Sequence, residues 1–366
     1  MHTDEFYMDR ALTLARRGEG KVLPNPMVGA VVVRDGRIIG EGWHARYGGI
    51  HAEQAALENC KEDPAGAELY VTLEPCCHRG KGKHNPPCTD LIQAARISRV
   101  VIARLDPNPP VAGQAVTLLR QKGLSVETGI RERESASLNR VYESLITTNR
   151  PFVHLKAALT LDGFLADSQG KSQWISGPES RSKVMEFRST CDAILVGRGT
   201  LSADLPSLTI RDSQGQPVSK EQPARIFLST RGQVPENWDK AGGEVHIYHD
   251  RDLTPSQGPY HFHGVSLKEG QPDLEEVLID LRQRGIDQLF VEGGSRVFGS
   301  FLASGLWDRL SLFLAPSLLG KGIPFSEGFQ ISDLDNKLNL NDCRYEVMGK
   351  DILVDAYRKE LLCSQD

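Results

Sequence analysis

His51, Cys76 and Cys88 are residue types that bind a borderline cation, and Glu53 stands two places past the first of them. One imidazole and two thiolates make a site without net charge, and three protein ligands leave a fourth metal position open to water. A glutamate that is not itself a ligand can take a proton from that water and hand it to a leaving amine. The set fits hydrolytic removal of an amino group at a zinc ion. Cys76 and Cys88 are twelve positions apart, wider than the C-x-x-C of the common deaminase signature. Cys77 is a competing thiol, and Cys76 is preferred because it follows Pro75 at a strand-to-helix turn. There it is expected to open the next helix, where unpaired N–H groups favour a thiolate. The rival is a purely structural zinc, which needs a fourth protein ligand among Cys77, His78 and His84.

The elements that must position these groups follow from periodicity. A first helix is expected over 4–17, and strands at 28–33 and 37–43 flank Arg34-Asp35-Gly36 as a hairpin. The chain then alternates: helix 51–62, strand 67–73, helix 88–96, strand 98–104, helix 112–122, strand 124–128, with one closing helix over 131–147. This is a three-layer α/β pattern, a sheet covered by helices on both faces. Asn25, between two prolines on a stiff backbone, suits hydrogen bonding to a pyrimidine ring. His44, at the end of the second strand, is a further candidate contact. The basic run from His78 to His84 suits capture of a phosphate.

The polar stretch Thr147-Thr148-Asn149-Arg150-Pro151 is the expected boundary, giving domains 1–147 and 151–366. In the second half, strands are expected at 152–158, 192–197, 288–292, 310–315 and 352–357, with helices at 179–188, 273–284 and 295–303. The stretches 211–224 and 250–259 are read as surface loops. No G-x-G-x-x-G is present, because Gly197-Arg198-Gly199 lacks the third glycine. Glu292-Gly293-Gly294-Ser295, between a strand and a helix, would let a phosphate approach backbone N–H groups at the helix N-terminus.

The formal net charge of -5, with 39% hydrophobic and 25% charged residues, argues against a polynucleotide substrate or an acidic membrane partner. Seven cysteines, three of them at the proposed metal site, suit a reducing compartment, not a disulfide framework. The N-terminal stretch lacks the apolar core of a signal peptide, and no apolar run approaches the ~18 residues that span a bilayer. The expected location is cytoplasmic.

Four runs, Pro24-Asn25-Pro26-Met27-Val28-Gly29, His51-Ala52-Glu53, Thr72-Leu73-Glu74-Pro75-Cys76 and Pro86-Pro87-Cys88, resemble the deaminase half of the bifunctional riboflavin-biosynthesis deaminase-reductases. The resemblance continues through Asp106-Pro107-Asn108-Pro109. Here the spacing between the two cysteines is three residues longer than the family's, and Cys77 stands where Ser is usual. In the second half, Lys156 to Gly163, Ser172 to Ile175, Asp204 to Arg211 and Glu292-Gly293-Gly294 resemble the reductase half of the same family, with Leu205 where a second aspartate is usual.

The resemblance implies a cytidine-deaminase-like three-layer domain holding one Zn2+, followed by a dihydrofolate-reductase-like domain that uses NADPH. It implies a phosphorylated aminopyrimidine as substrate, and a homo-oligomer is expected. By position it assigns NADPH contacts to Ala158, Trp174, Thr200, Asp204 and a loop of Gly294, Ser295, Arg296, Val297, Phe298, Gly299 and Ser300. It assigns substrate contacts to Ser172, Arg188, Leu208, Arg211 and Glu292, and Lys156 is expected to hold a polar ring oxygen. Asp204, not position 205, is expected to face the cofactor. A deaminase whose second domain has lost reduction is the rival that Leu205 supports.

Overall fold

The computed structural model describes every residue except 1, 79–85, 110, 213, 219–220, 236–237, 239–242, 256–257 and 360–366. The chain divides into two compact units, one running to Thr148 and the other starting at Asn149.

The first unit contains α1 (Asp4–Ala15), β1 (Gly29–Arg34), β2 (Arg37–Trp43), α2 (Ala52–Glu58), β3 (Glu68–Val71), α3 (Cys88–Ala94), β4 (Arg99–Ile102), α4 (Gln114–Gln121), β5 (Ser125–Thr128), α5 (Glu132–Leu138) and α6 (Arg140–Thr148). Its sheet has the order β2-β1-β3-β4-β5. β1 is antiparallel to β2 and β3, and β3, β4 and β5 are parallel. Successive residues of a strand face opposite ways, and β1 shows what that builds. Ala30 and Val32 join Ala52, Ala56, Ile92 and Leu119 in one core. Val31 and Val33 join Met8, Ala11 and Leu12 in another. Helices therefore cover both faces, as the alternating pattern implies.

The single helix expected over 131–147 is in fact two, broken at Asn139, whose φ of -107° and ψ of 23° leave the helical region. The break has a cause outside the helix, since the Asn139 side chain bonds the main chain of Met27.

The second unit contains β6 (Phe152–Thr160), β7 (Phe164–Ala166), α7 (Pro178–Thr190), β8 (Ala193–Gly197), α8 (Arg198–Asp204), β9 (Ala224–Leu228), β10 (Val245–Asp250), β11 (His261–Val265), the short β12 (Leu267–Lys268) and β13 (Gln271–Pro272), α9 (Leu274–Gln283), β14 (Gln288–Gly293), α10 (Ser295–Ser304), β15 (Arg309–Ala315), β16 (Ile323–Pro324), β17 (Asn341–Met348) and β18 (Asp351–Tyr357). The main sheet runs β11-β10-β9-β8-β14-β6-β15-β18-β17. It is parallel from β11 through β15, and β18 and β17 are antiparallel additions. Leu195 and Val291 face a core with α9 and α10, while Ile194, Val196 and Phe290 face one with α7 and α8.

Asp273 caps α9, its side chain accepting the Glu275 N–H at 2.9 Å. β9, β10, β11 and β17 go beyond the strands expected from the sequence. The histidines of β10 and β11 interrupt any apolar run, and β11 and β17 are edge strands with half-exposed faces. Among the described residues no helix is long and apolar enough to cross a membrane.

Candidate active sites

The head of α2 positions the first site. His51 is its N-cap in an extended conformation, so its ring leaves the helix axis while Glu53 enters the first turn. His51 Nδ1 lies 3.2 Å from Cys88 Sγ and 3.5 Å from Cys76 Sγ. Ligands about 2.0–2.3 Å from a tetrahedral zinc stand about 3.3–3.8 Å from one another. The three donor atoms all lie within 4.8 Å of one another, and they are such a set among the described residues. Donor chemistry and spacing both fit zinc.

Cys76 does not open a helix as expected. It sits in the irregular segment after β3, and Cys88 is the residue that begins α3. The first N–H of that helix still serves Cys76, because the Cys88 N–H donates to Cys76 Sγ at 3.4 Å. A hydrogen bond from the Cys88 thiol, joined by His51 and this N–H, lowers the Cys76 thiol to about 3 against the opposing effect of burial. The same bond and burial raise Cys88 well above the usual thiol value. Cys77 Sγ instead lies 3.9 Å from Gln114 Oε1. His84 and the basic residues Arg79, Lys81 and Lys83 lie outside the described residues.

Glu53 is 3% exposed. Burial pushes its carboxyl up, the Cys76 charge adds to this, and His51 opposes it. A carboxyl so placed holds a proton more readily than one in water. His44 is buried beside it, its ring edge-on to His51 with centroids 5.7 Å apart. Its Nδ1 faces the Ile50 carbonyl at 2.9 Å and its Nε2 lies 3.2 Å from Asn25 Nδ2. With Nδ1–H donating to Ile50, Nε2 accepts from Asn25. Asn25, His44, His51, Glu53, Cys76 and Cys88 are thus brought together.

Two supporting residues escaped the sequence reading. Asn139 looked like helix interior. Glu74, buried before Pro75, accepts N–H groups of Asp106, Gly113 and Ala115 at 3.1, 2.8 and 2.9 Å, tying the approach to Cys76 to the head of α4. An acidic residue at the end of an otherwise apolar strand, directly before Pro75-Cys76, was the available signal.

In the second unit the candidates gather at the carboxyl ends of β6, β8 and β14. β14 is inserted between β6 and β8, which makes this a switch point where open α/β sheets bind ligands. Gly293 has φ of +107°, and a Cβ on Gly294 would lie 2.8 Å from Thr200 Oγ1. Gly294 caps α10, and Ser295 Oγ in its first turn is buried with no hydrogen-bond partner among the described residues. This bare, N–H-rich corner fits a cofactor phosphate.

The stretch 294–300 that the resemblance gives as a cofactor loop is instead the N-cap and first turns of α10, in line with the helix expected over 295–303. Val297 and Phe298 point into the core, and a Cβ on Gly299 would run into the Glu327 carbonyl oxygen, so Gly299 serves packing. Arg296 is exposed and reaches Glu327 at 3.2 Å, and Ser300 Oγ donates within the helix to Arg296 O.

Ser172 Oγ donates to Asp204 Oδ1 at 3.1 Å, and burial raises the Asp204 carboxyl. Leu205 instead caps α8 in the left-handed region with φ of +43°. Trp174 is 71% exposed, with the Arg181 guanidinium 4.6 Å from its ring centre, so it does not belong to the core. Ala158 lies in β6, opposite Phe313 of β15.

Lys156 is half-buried within β6, and its Nζ lies 3.7 Å from Glu292 Oε2. Burial lowers this lysine, partly offset by Glu292. Arg188 donates to Glu292 Oε1 at 2.6 Å and to the Thr209 carbonyl at 2.8 Å. Burial would raise Glu292, but Arg188 and Lys156 hold it below the ordinary value. Arg211 Nε donates to Thr209 Oγ1 at 3.1 Å. Leu208, 2% exposed, puts its side chain in the core, leaving its backbone as what it can offer a ligand.

Fold and donor set together define a zinc-binding deaminase of the cytidine type joined in one chain to a reductase of the dihydrofolate-reductase type. Residues 1–104 match the cytidine and deoxycytidylate deaminase zinc-binding region, and residues 151–354 match the RibD C-terminal domain. The chain belongs to the RibD family of bifunctional riboflavin-biosynthesis enzymes, which use zinc for deamination and NADPH for reduction. The riboflavin biosynthesis protein RibD of Bacillus amyloliquefaciens is 39% identical, covering 98% of this chain and 97% of its own. That of Escherichia coli strain K12 is 38% identical, covering 87% and 89%. A Thermotoga maritima structure, a diaminohydroxyphosphoribosylaminopyrimidine deaminase/5-amino-6-(5-phosphoribosylamino)uracil reductase, matches with a TM-score of 0.81 at 39% identity, over 97% of this chain and 98% of that one. Acinetobacter baumannii RibD matches with a TM-score of 0.81 at 32% identity, again over 97% and 98%.

Proposed function

We propose that the first unit deaminates a diaminopyrimidinone ribosylamine phosphate and that the second reduces the ribosyl group of the product to ribityl. The observation that carries this reading is a buried carboxyl, Glu53, beside three metal donors, His51, Cys76 and Cys88. When bound, zinc makes water nucleophilic near neutral pH, and NADPH supplies hydride for C1′ of the sugar. Glu53 takes the proton from the attacking water and returns it to the departing amine, and its raised affinity for a proton supports this role. Asn25, whose amide N–H is used on His44, offers its carbonyl oxygen to a ring or amino N–H.

In the second unit the head of α10, with Gly294, Thr200 and Ser295, receives the cofactor's phosphates, while Trp174 offers an exposed ring face. Ala158 and Asp204 line the same cofactor position, Asp204 being oriented by Ser172. Arg211 and the Leu208 backbone take the substrate's phosphate side. Lys156 and Glu292 meet the ring, and Arg188 orients Glu292 and the Thr209 loop. A cytoplasmic location and a homo-oligomeric state belong to the same reading. The described cysteines form no disulfide with one another, which suits a reducing compartment, and light-scattering mass of the purified chain tests the assembly.

The experiment is Glu53→Gln. It should retain one zinc per chain while ammonia release falls by about 10²–10⁴-fold, with reduction of pre-deaminated substrate intact. Ammonia release at the original rate would remove Glu53 from the reaction.

A further inference from the structure

Three histidines outside both sites share one face at the edge of the second unit's sheet. His246 of β10 is the register partner of His261 of β11, and Tyr248 pairs with His263. Residues two apart on a strand face the same way, so all three imidazoles lie together. The rings of His261 and His263 both stack with that of His246, at centroid separations of 5.0 and 5.2 Å and interplanar angles of 25° and 19°. His246 Nδ1 lies 3.0 Å from His263 Nε2. Two nitrogens about 2.0–2.1 Å from one tetrahedral zinc stand about 3.3 Å apart, so this pair is a few tenths of an ångström from a chelating separation.

We propose that His246 Nδ1 and His263 Nε2, with His261 turning in as third ligand, form a second metal site for a borderline divalent transition cation such as nickel or zinc. The surroundings suit it. Metal-binding histidines commonly give their other ring N–H to a carboxylate, and His246 Nε2 lies 3.3 Å from Glu244 Oε2. Asp280 Oδ2 lies 3.9 Å from His263 Nδ1. Arg284, 3.1 Å from the same nitrogen, is bonded twice to Asp280, at 2.7 and 3.1 Å, which offsets its charge. Glu244, Asp280 and Arg284 together leave one negative charge beside the histidines.

The proton balance is simple. Arg284 donates to His263 Nδ1, so the proton between the two rings sits on His263 Nε2. On binding, His263 changes tautomer: Nε2 gives up this proton to become a ligand, and Nδ1 takes one up and turns it to Asp280, releasing none overall. The ion would cross-link edge strand β11 to β10, and a ligand that binds the folded state stabilises it.

The test is calorimetric titration of the full chain, already loaded with one equivalent of zinc, with nickel chloride near neutral pH. The expected result is one nickel ion per chain and a raised Tm. His263→Gln should abolish this binding, exposed His261→Gln should weaken it, and Glu244→Gln should weaken it about tenfold, with ammonia release unchanged in all three. No nickel uptake by the wild type, or equal uptake by the wild type and both histidine variants, would overturn the proposal.

Discussion

Asn139 holds both main-chain groups of Met27 at once. Its Oδ1 accepts the Met27 N–H at 2.8 Å, and its Nδ2 donates to the Met27 carbonyl at 2.9 Å. Asn139 is 3% exposed, at the break between α5 and α6. Its grip holds the segment that carries Asn25, which in turn reaches His44, and so a residue far along the chain anchors a loop beside the metal donors.

Asn139→Ala would leave two main-chain groups of Met27 without these partners, at a cost of about 1–3 kcal/mol each if they stay buried. Steady-state kinetics should show KM for deamination rising more than kcat falls, with reduction unaffected. Equal losses in both activities would mark Asn139 as a general stability residue instead.

Gly299 stands in the stretch that family resemblance assigns to the cofactor, yet its missing side chain makes room for the Glu327 carbonyl. Gly299→Ala should therefore lower Tm by several degrees, an overpacking cost of about 1–3 kcal/mol. A variant with unchanged Tm and weakened NADPH binding alone would restore the cofactor role.

Leu205 occupies the left-handed region, where a branched side chain is strained and Gly or Asp fits better. Thermal melts of Leu205→Gly should show a gain of about 0.5–1 kcal/mol. Leu205→Asp should reduce substrate no faster than the wild type, because Asp204 is the acid that Ser172 orients. A large gain in reduction by Leu205→Asp would show that the second acid matters.

Burial, joined by Arg284, lowers His263 from the ordinary 6.5 to about 4. Between those values the unfolded chain binds more protons than the folded one, so stability is lost as pH falls from about 6.5 towards 4. His263→Gln should flatten that limb of a Tm-against-pH profile, and an unchanged slope would contradict it.

Periodicity made much of the fold legible. The β1 and β2 hairpin around Asp35-Gly36 and the helix capped by Asp273 could be read because local pattern and tertiary burial agree there. β10 and β11 were hidden because their histidines look like surface residues, whereas the fold packs them against one another. His51, Glu53, Cys76 and Cys88, which the fold brings together, could be singled out in the sequence because few residue types do this chemistry. Asn139 and Glu74 were not, since their partners lie in segments brought near only by folding. Arg188 was named through the resemblance, but its bond to Glu292, which joins two elements distant in sequence, was not legible.

The most direct test of the central claim follows ammonia release and NADPH oxidation in parallel on the diaminopyrimidinone ribosylamine phosphate. The account predicts ammonia release without NADPH, and NADPH consumption, once it is added, only after ammonia has appeared. NADPH oxidation that precedes ammonia, or ammonia release with no NADPH consumed at any stage, would contradict it.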